Sequence, residues 1–346
     1  MSRRPRPRRR TVLALALPAA VLAAGPAAAA PDDLLVPPGP RPVVPAPVTL
    51  DPVAPVALAA DGPRLAWVRD LGRGARALVV RDAPDAAERV VVPRLRMRVA
   101  RLAVGTDAAG RPTAVLATGG DVDPSISAEA PASGALFAVR LDGRGGVRRL
   151  PASGPRGAEV APGLRRGVLS FARVERIGRR PVMTLRVGAL HRASSRVLWH
   201  GSPDRPVIAT AVGAGRRVVF TTHSSPGEVN VWNLRVARPG ATTRNLERLP
   251  SGFNTNAGYG PITTDATGTA VAVSRWRSNG YGGVLSRHDL RTGRRTGTRS
   301  FDELDLAVPL GDRGIAAYRT DLFASCEVPG GRPGLDPCPL TSLPAR

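Results

Sequence analysis

Short apolar runs recur along the chain, each just after a glycine-containing turn. They are Leu65-Ala66-Trp67-Val68, Ala114-Val115-Leu116-Ala117, Val168-Leu169-Ser170-Phe171, Val218-Val219-Phe220-Thr221, Ala270-Val271-Ala272-Val273 and Ile315-Ala316-Ala317-Tyr318. Their first positions lie 45–54 residues apart, about 50 on average. A period of that length with strand-sized runs points to propeller blades or a β-solenoid. A similar strand precedes the run in each period, such as Val56-Ala57-Leu58-Ala59 or Ile208-Ala209-Thr210-Ala211-Val212. An alternating strand follows, such as Ala77-Leu78-Val79-Val80, Leu136-Phe137-Ala138-Val139, Val182-Met183-Thr184-Leu185 or Val229-Asn230-Val231-Trp232. A polar strand ends the period, such as Val147-Arg148-Arg149-Leu150, Arg196-Val197-Leu198-Trp199 or Arg244-Asn245-Leu246-Glu247-Arg248-Leu249.

Polarity therefore rises within every repeat. Continuous apolar runs suit strands covered on both faces, alternation suits partial burial, and an arginine-bearing last strand suits an outer edge. A radial sheet with strand one at the axis and strand four at the rim predicts this gradient. The expected fold is all-β, a six-bladed β-propeller of four-stranded antiparallel sheets over residues 51–346. The sixth period is short, so its outer strand is expected from Cys338 to Leu343 or, as a ring closure, from Pro47 to Leu50.

Composition agrees. The 38 glycines and 35 prolines among 346 residues make about a fifth of the chain, against roughly 12% in average usage, which argues against long helices. Hydrophobic residues reach 42%, enough for a sizeable core. The net charge of +23 comes from 50 basic residues, and all of them are arginine. With alanine, glycine, proline and valine also abundant, most of this charge reads as GC-rich codon usage. No basic run lies beside aromatics as a stacking platform requires, so nucleic acid is not an expected partner.

The N-terminus reads as a targeting segment. Six arginines lie within residues 1–10 and no acid precedes Asp32. An apolar run from Thr11 to Ala24 follows, then Ala27-Ala28-Ala29-Ala30, so residues 1–30 read as a signal peptide cleaved after Ala29. Fourteen residues at about 1.5 Å each fall short of a roughly 30 Å hydrocarbon core, so no permanent span is expected. Arg9-Arg10-Thr11-Val12-Leu13 loosely matches a twin-arginine signal, leaving the export route open. Residues 31–50 read as a proline-rich tether, since proline fixes φ and lacks an N–H.

His288-Asp289-Leu290-Arg291-Thr292-Gly293-Arg294-Arg295-Thr296 resembles the strand three, turn, strand four segment of TolB-like and WD-repeat-like propellers. Leu136-Phe137-Ala138-Val139-Arg140-Leu141-Asp142-Gly143 is similar. Asp61-Gly62 before Leu65 and Thr267-Gly268 before Ala270 resemble the strand one to two hairpin. The resemblance covers about residues 51–346. The repeated Trp-Asp dipeptide is missing and aromatics are only 4%. These motifs imply a fold and carry no catalytic residue.

Candidate chemistry is sparse. Cys326 and Cys338 are the only cysteines, and an even pair in an exported chain reads as a disulfide. His191, His200, His223 and His288 show no metal-ligand spacing and read as surface or turn residues. Asp121, Asp123 and Glu129 in the loop 119–134 lack the rest of a calcium site, and Phe301-Asp302-Glu303-Leu304-Asp305 reads as a connection between blades. Neither a metal nor a cofactor is expected.

Two loops carry more. Phe253-Asn254-Thr255-Asn256-Ala257-Gly258-Tyr259-Gly260 precedes blade five, and Arg275-Trp276-Arg277-Ser278-Asn279-Gly280-Tyr281-Gly282-Gly283 joins its second and third strands. In a propeller both connections emerge on one face beside the channel. Asn256, Tyr259, Trp276, Arg277 and Tyr281 are therefore the candidate ligand-binding residues, with aromatic platforms, an amide and a fixed charge. The plain alternative is that Asn and Gly here are only turn residues. The expected function is an exported, monomeric, non-catalytic propeller binding a protein, peptide or cell-envelope polymer at the channel mouth. The alternative is a propeller enzyme, such as a lactonase, lyase or glycosidase, with carboxylates or a metal at the axis.

Overall fold

The computed structural model describes residues 48–51, 55–118, 134–154, 158–177, 180–224, 230–251, 257–277, 283–301, 306–309, 314–318 and 340–344. A first strand, β1 (Val48–Asp51), precedes the repeats. The first sheet contains β2 (Ala57–Asp61), β3 (Arg64–Asp70), β4 (Arg76–Arg81) and β5 (Arg89–Leu95). The second contains β6 (Val99–Thr106), β7 (Pro112–Thr118), β8 (Ala135–Arg140) and β9 (Val147–Arg149). The third contains β10 (Ala158–Arg165), β11 (Val168–Ile177), β12 (Arg180–Ala189) and β13 (Ser195–Gly201). The fourth contains β14 (Val207–Val212), β15 (Val218–Ser224), β16 (Asn230–Ala237) and β17 (Arg244–Ser251). The fifth contains β18 (Ala257–Thr264), β19 (Ala270–Arg277), β20 (Gly283–Asp289) and β21 (Arg295–Phe301). Last come β22 (Leu306–Pro309), β23 (Gly314–Tyr318) and β24 (Leu340–Pro344).

In each of the five consecutive sheets the spatial order is the chain order, and every pair is antiparallel. The first strands β2, β6, β10, β14 and β18 are neighbours in a closed cycle, with β18 returning to β2. The molecule is thus an all-β propeller of four-stranded antiparallel sheets. The expectation of six blades built in sequence from residue 51 is corrected: five blades are built that way. The remaining sheet has the order β1-β24-β23-β22, so it borrows its outer strand from the N-terminal side and needs residues 48–51. β22 packs beside β18, β19 and β2. The segment Pro47–Leu50 does supply a pairing strand at this edge, while the C-terminal segment supplies the strand inside it.

The polarity gradient has its predicted cause. Leu65, Ala66, Trp67 and Val68 of β3 and Ala77–Val80 of β4 are all buried, whereas β5 alternates between exposed and half-buried positions until Leu95. Core clusters lie between successive sheets. Ala66, Val68, Leu78 and Val80 of the first meet Val104, Ala114 and Leu116 of the second. Leu185, Met183 and Ala172 of the third meet Val218 and Phe220 of the fourth. Each fully buried Leu or Phe contributes about 1.5–3 kcal/mol of burial, which is why the second strands are the most apolar.

Asp51 ties the composite sheet to the first blade. Its carboxylate accepts hydrogen bonds from Trp67 Nε1 and Arg69 Nε, both at 2.6 Å, and it is only 1% exposed. Arg69 also donates to Glu88, at 2.8 Å to the nearer oxygen.

Candidate functional site: the central channel

The five first strands line a channel of ≈ 170 Å³. Small and apolar residues make much of its wall, with Leu102, Ala209, Pro261 and Ile262 partly exposed along it, and Asp61, Arg101 and Arg165 add charge. Thr210 is held in the wall: its Oγ1 donates to Ala161 O at 2.8 Å and lies 2.8 Å from Ser170 Oγ.

At one end the channel is bounded by the hairpin turns that join first and second strands, and these turns are laced together. Gly167 N donates to Thr106 O, and Ala214 N to Gly268 O, both at 2.7 Å. Gly167 (φ +73°) and Gly268 (φ +71°) sit in the left-handed region, and a Cβ on either would lie within 2.7 Å of a neighbouring backbone nitrogen. Only glycine permits both the turn and the approach. Arg165, at the end of β10, reaches past the fourth sheet to donate from Nη2 to Ala266 O at 2.9 Å. Asp61, the last residue of β2, lines the same end. This turn-lined end is termed the floor.

The other end is where first strands begin and second strands finish. Three carboxylates of the third and fourth sheets, none of which lines the channel, are held by arginines. Glu159, with no exposed surface, accepts from Arg173 Nε at 2.9 Å. Glu175 takes a two-oxygen contact from Arg186 Nη2 at 2.8 and 3.0 Å. Glu247 accepts from Arg275 Nη1 at 2.8 Å. Burial pushes the Glu159 carboxyl above its usual range against the pull of Arg173. Burial opposes ionisation of Glu175 as well, but its bonds to Arg186 and Thr184 hold it below that range.

Of the candidate residues, Asn256, Tyr281, Cys326 and Cys338 lie outside the described residues, as do Asp121, Asp123, Glu129 and Asp302–Asp305. Trp276 and Arg277 end β19, paired in register with Gly258 and Ala257 of β18; only their backbone is described. Both segments expected as loops are therefore strand in part: Ala257–Gly260 belongs to β18 and Arg275–Arg277 to β19. Tyr259 is corrected as an open aromatic platform. It is 1% exposed and packs edge-on against Trp232 of the neighbouring sheet, ring centroids 6.4 Å apart. Burial pushes its phenol well above the usual range, and the nearby Glu247 charge adds to that.

Two histidines are corrected too. His223 and His288 are buried, at 5% and 2% exposure, while His191 and His200 are exposed. His223 stacks on Trp232 with centroids 4.4 Å apart. His288 Nε2 lies 3.5 Å from Glu247 Oε2. Glu247, Tyr259, Arg275 and His288 thus form a polar cluster in the seam between the fourth and fifth sheets. Among the described residues no group of three His, Cys, Asp or Glu side chains has metal-binding geometry.

Sequence reasoning missed Asp61 and Arg165. Asp61-Gly62 signals a hairpin, and the β2–β3 hairpin is there. That this turn borders a channel follows only from the ring.

No protein-family model matches the sequence, and no curated protein matches it. Solved structures do resemble the fold. TolB from Acinetobacter baumannii is 14% identical with a TM-score of 0.44, over 71% of this chain and 53% of that one. The β-propeller domain of the Trilobed protease from Pyrococcus furiosus is 7% identical with a TM-score of 0.45, over 85% and 94%. Oligogalacturonate lyase from Vibrio parahaemolyticus is 8% identical with a TM-score of 0.40, over 81% and 74%. The chain spans about half the length of that TolB protein, and none of these likenesses assigns a role to a residue.

Proposed function

We infer that the protein is an exported, non-catalytic propeller that binds a protein, peptide or cell-envelope polymer at the open end of its channel. The carrying observation is the channel itself: a concavity lined by small and apolar side chains with a few polar ones, Asp61, Arg101 and Arg165 among them. Apolar concavities with a few fixed polar groups are binding sites by default. Export rests on the charged leader, the apolar run and the alanine-rich cleavage zone of residues 1–30. No helix among the described residues is long and apolar enough to cross a membrane. In this reading the composite sheet counts as a sixth blade. Trp276 and Arg277, at the end of β19, serve as contacts together with Asn256 and Tyr281.

The enzymatic reading has one observation in its favour, the cluster of Glu247, Tyr259, Arg275 and His288. Against it, all four residues that a substrate would have to reach are wholly or largely enclosed between sheets.

A random-peptide display library panned on the mature protein tests the binding reading. Enriched peptides are expected to bind wild type and to lose affinity on Ala209→Trp, which fills the channel. Trp276→Ala is expected to remove ~2 kcal/mol or more of binding while leaving the melting temperature nearly unchanged. Peptides that bind all three proteins equally overturn the channel as the site. Peptides, pectic oligosaccharides or lactones converted to products on incubation overturn the non-catalytic half.

A further inference from the structure

The floor of the channel carries two opposite charges that attract each other without a direct contact. Asp61 lines it at the end of β2, and Arg165 at the end of β10. Asp61 makes no hydrogen bond through its carboxylate with any described residue, and no ion pair joins it to Arg165. Arg165 uses Nη2 on Ala266 O. Its Nε and Nη1 make no hydrogen bond with described residues. Two other charges at these turns are occupied, while Arg166 beside Arg165 is exposed. Asp265 accepts from the backbone of Thr269 and Ala270 and faces Arg287 at 3.5 Å, and Arg64 is paired with Asp82 at 2.7 Å.

We propose that the channel floor is a recognition pocket for an aliphatic α-amino group with an adjoining carboxyl or carbonyl. The ammonium sits on Asp61, the carboxyl on Arg165, and the aliphatic part lies along Leu102, Ala209 and Ile262. This rests on the channel being the binding site and names what enters it. Size sets the class. A channel of ≈ 170 Å³ is close to the roughly 150 Å³ cavity that holds benzene, and well below the ~300 Å³ at which drug-sized pockets begin. It has room for one amino-acid-sized body. Charge sets the polarity. An ammonium supplies the donors Asp61 lacks, and a carboxylate accepts in parallel from a guanidinium edge. Burial pushes the Asp61 carboxyl above its usual range despite Arg64, Arg165 and Arg166. Burial and the like charge of Arg166 lower the Arg165 guanidinium against the pull of Asp265 and Asp61. Each group is more strained alone than it is beside a ligand of opposite charge.

The ligand chemistry has two sources, a free amino acid or the N-terminal residue of a peptide. Calorimetric titration of the full chain with leucine, leucine methyl ester, N-acetyl-leucine and the tripeptide Leu-Gly-Gly separates them. Leucine and its ester are expected to bind and N-acetyl-leucine is not, because acetylation removes the ammonium. Asp61→Asn is expected to weaken leucine about tenfold or more, the worth of a charged hydrogen bond. Arg165→Gln is expected to abolish the preference for leucine over its ester. Binding of Leu-Gly-Gly as tight as leucine assigns the site to peptide N-termini; its absence assigns it to free amino acids. N-acetyl-leucine binding as well as leucine, unchanged affinity in Asp61→Asn, or no binding by any probe overturns the proposal. A peptide captured by wild type and lost on Ala209→Trp, without any amine dependence, retires the floor pocket and leaves the wider binding reading standing.

Discussion

Asp61 is a residue whose cost to the fold is measurable. Its carboxyl is pushed up by burial, so the folded state holds the Asp61 proton more tightly than the unfolded chain does. Its stability contribution is therefore present below the unfolded pKa, about 3.9, and is lost as pH rises through the higher folded value. At pH 7 the ionised group destabilises the protein, and Asp61→Asn is expected to melt at a higher temperature than wild type. The gap should close as pH falls below about 4, where both side chains are neutral. Equal melting temperatures at pH 7, or a gap that persists in acid, contradict this. Neither Asp61 nor Arg165 was legible as a site, because local sequence shows only a turn residue and one arginine among 50. Tyr259 misled for a related reason. Glycines on both sides mimic a loop, but the strand merely shifts register between Tyr259 and Ile262 and buries the ring against Trp232. His288 likewise sits on a strand whose buried face is set by the neighbouring sheet and by no local signal.

The strands themselves were readable. The run Val218–Thr221 lies within β15, Leu136–Val139 within β8 and Arg196–Trp199 within β13, because burial on two faces, one face or an edge each leaves its own pattern in eight residues or fewer. How closely the first strands approach one another was not readable. In β10 a Cβ on Gly163 would lie 2.6 Å from Ser170 Oγ and 2.8 Å from Thr210 O of β14. The wall of the channel has no room for a methyl group there. Gly163→Ala is expected to cost about 1–3 kcal/mol, as overpacking does. Gly154, with nothing within 4 Å of its Cβ position, is the control: Gly154→Ala should stay within about 0.5 kcal/mol. Urea midpoints of the two variants check this, and equal midpoints would mean the first strands separate freely.

At the scale of the molecule, the ring depends on residues that the sequence pattern assigns to a tether. β1 pairs with β24 through Val48↔Ser342 and Thr49↔Thr341, joining positions nearly three hundred apart. The short sixth period pointed to Pro47–Leu50 as one of two candidate outer strands, but no periodicity decides between them, and the pairing shows that both ends of the chain contribute. The energetic weight of β1 falls mostly on one side chain. Asp51 is the acceptor for the buried indole N–H of Trp67 and for Arg69, and Trp67 has no exposed surface. A chain beginning at residue 45 keeps this strand, and a chain beginning at residue 53 loses it. The shorter chain gives up the ladder with β24, the burial of Leu50 and the acceptor for two donors. Orphaning the buried Trp67 donor costs about 1–3 kcal/mol, and the ladder and the burial of Leu50 are lost with it, a large fraction of a marginal stability. The longer chain is expected to melt cooperatively at the temperature of the full chain. The shorter one should melt many degrees lower, with Trp67 quenched by solvent. The point variant Asp51→Leu, which keeps β1 but removes the acceptor, should fall between them. If the chain from residue 53 melts like the chain from residue 45, β1 is a decoration on the edge and the ring is closed without it.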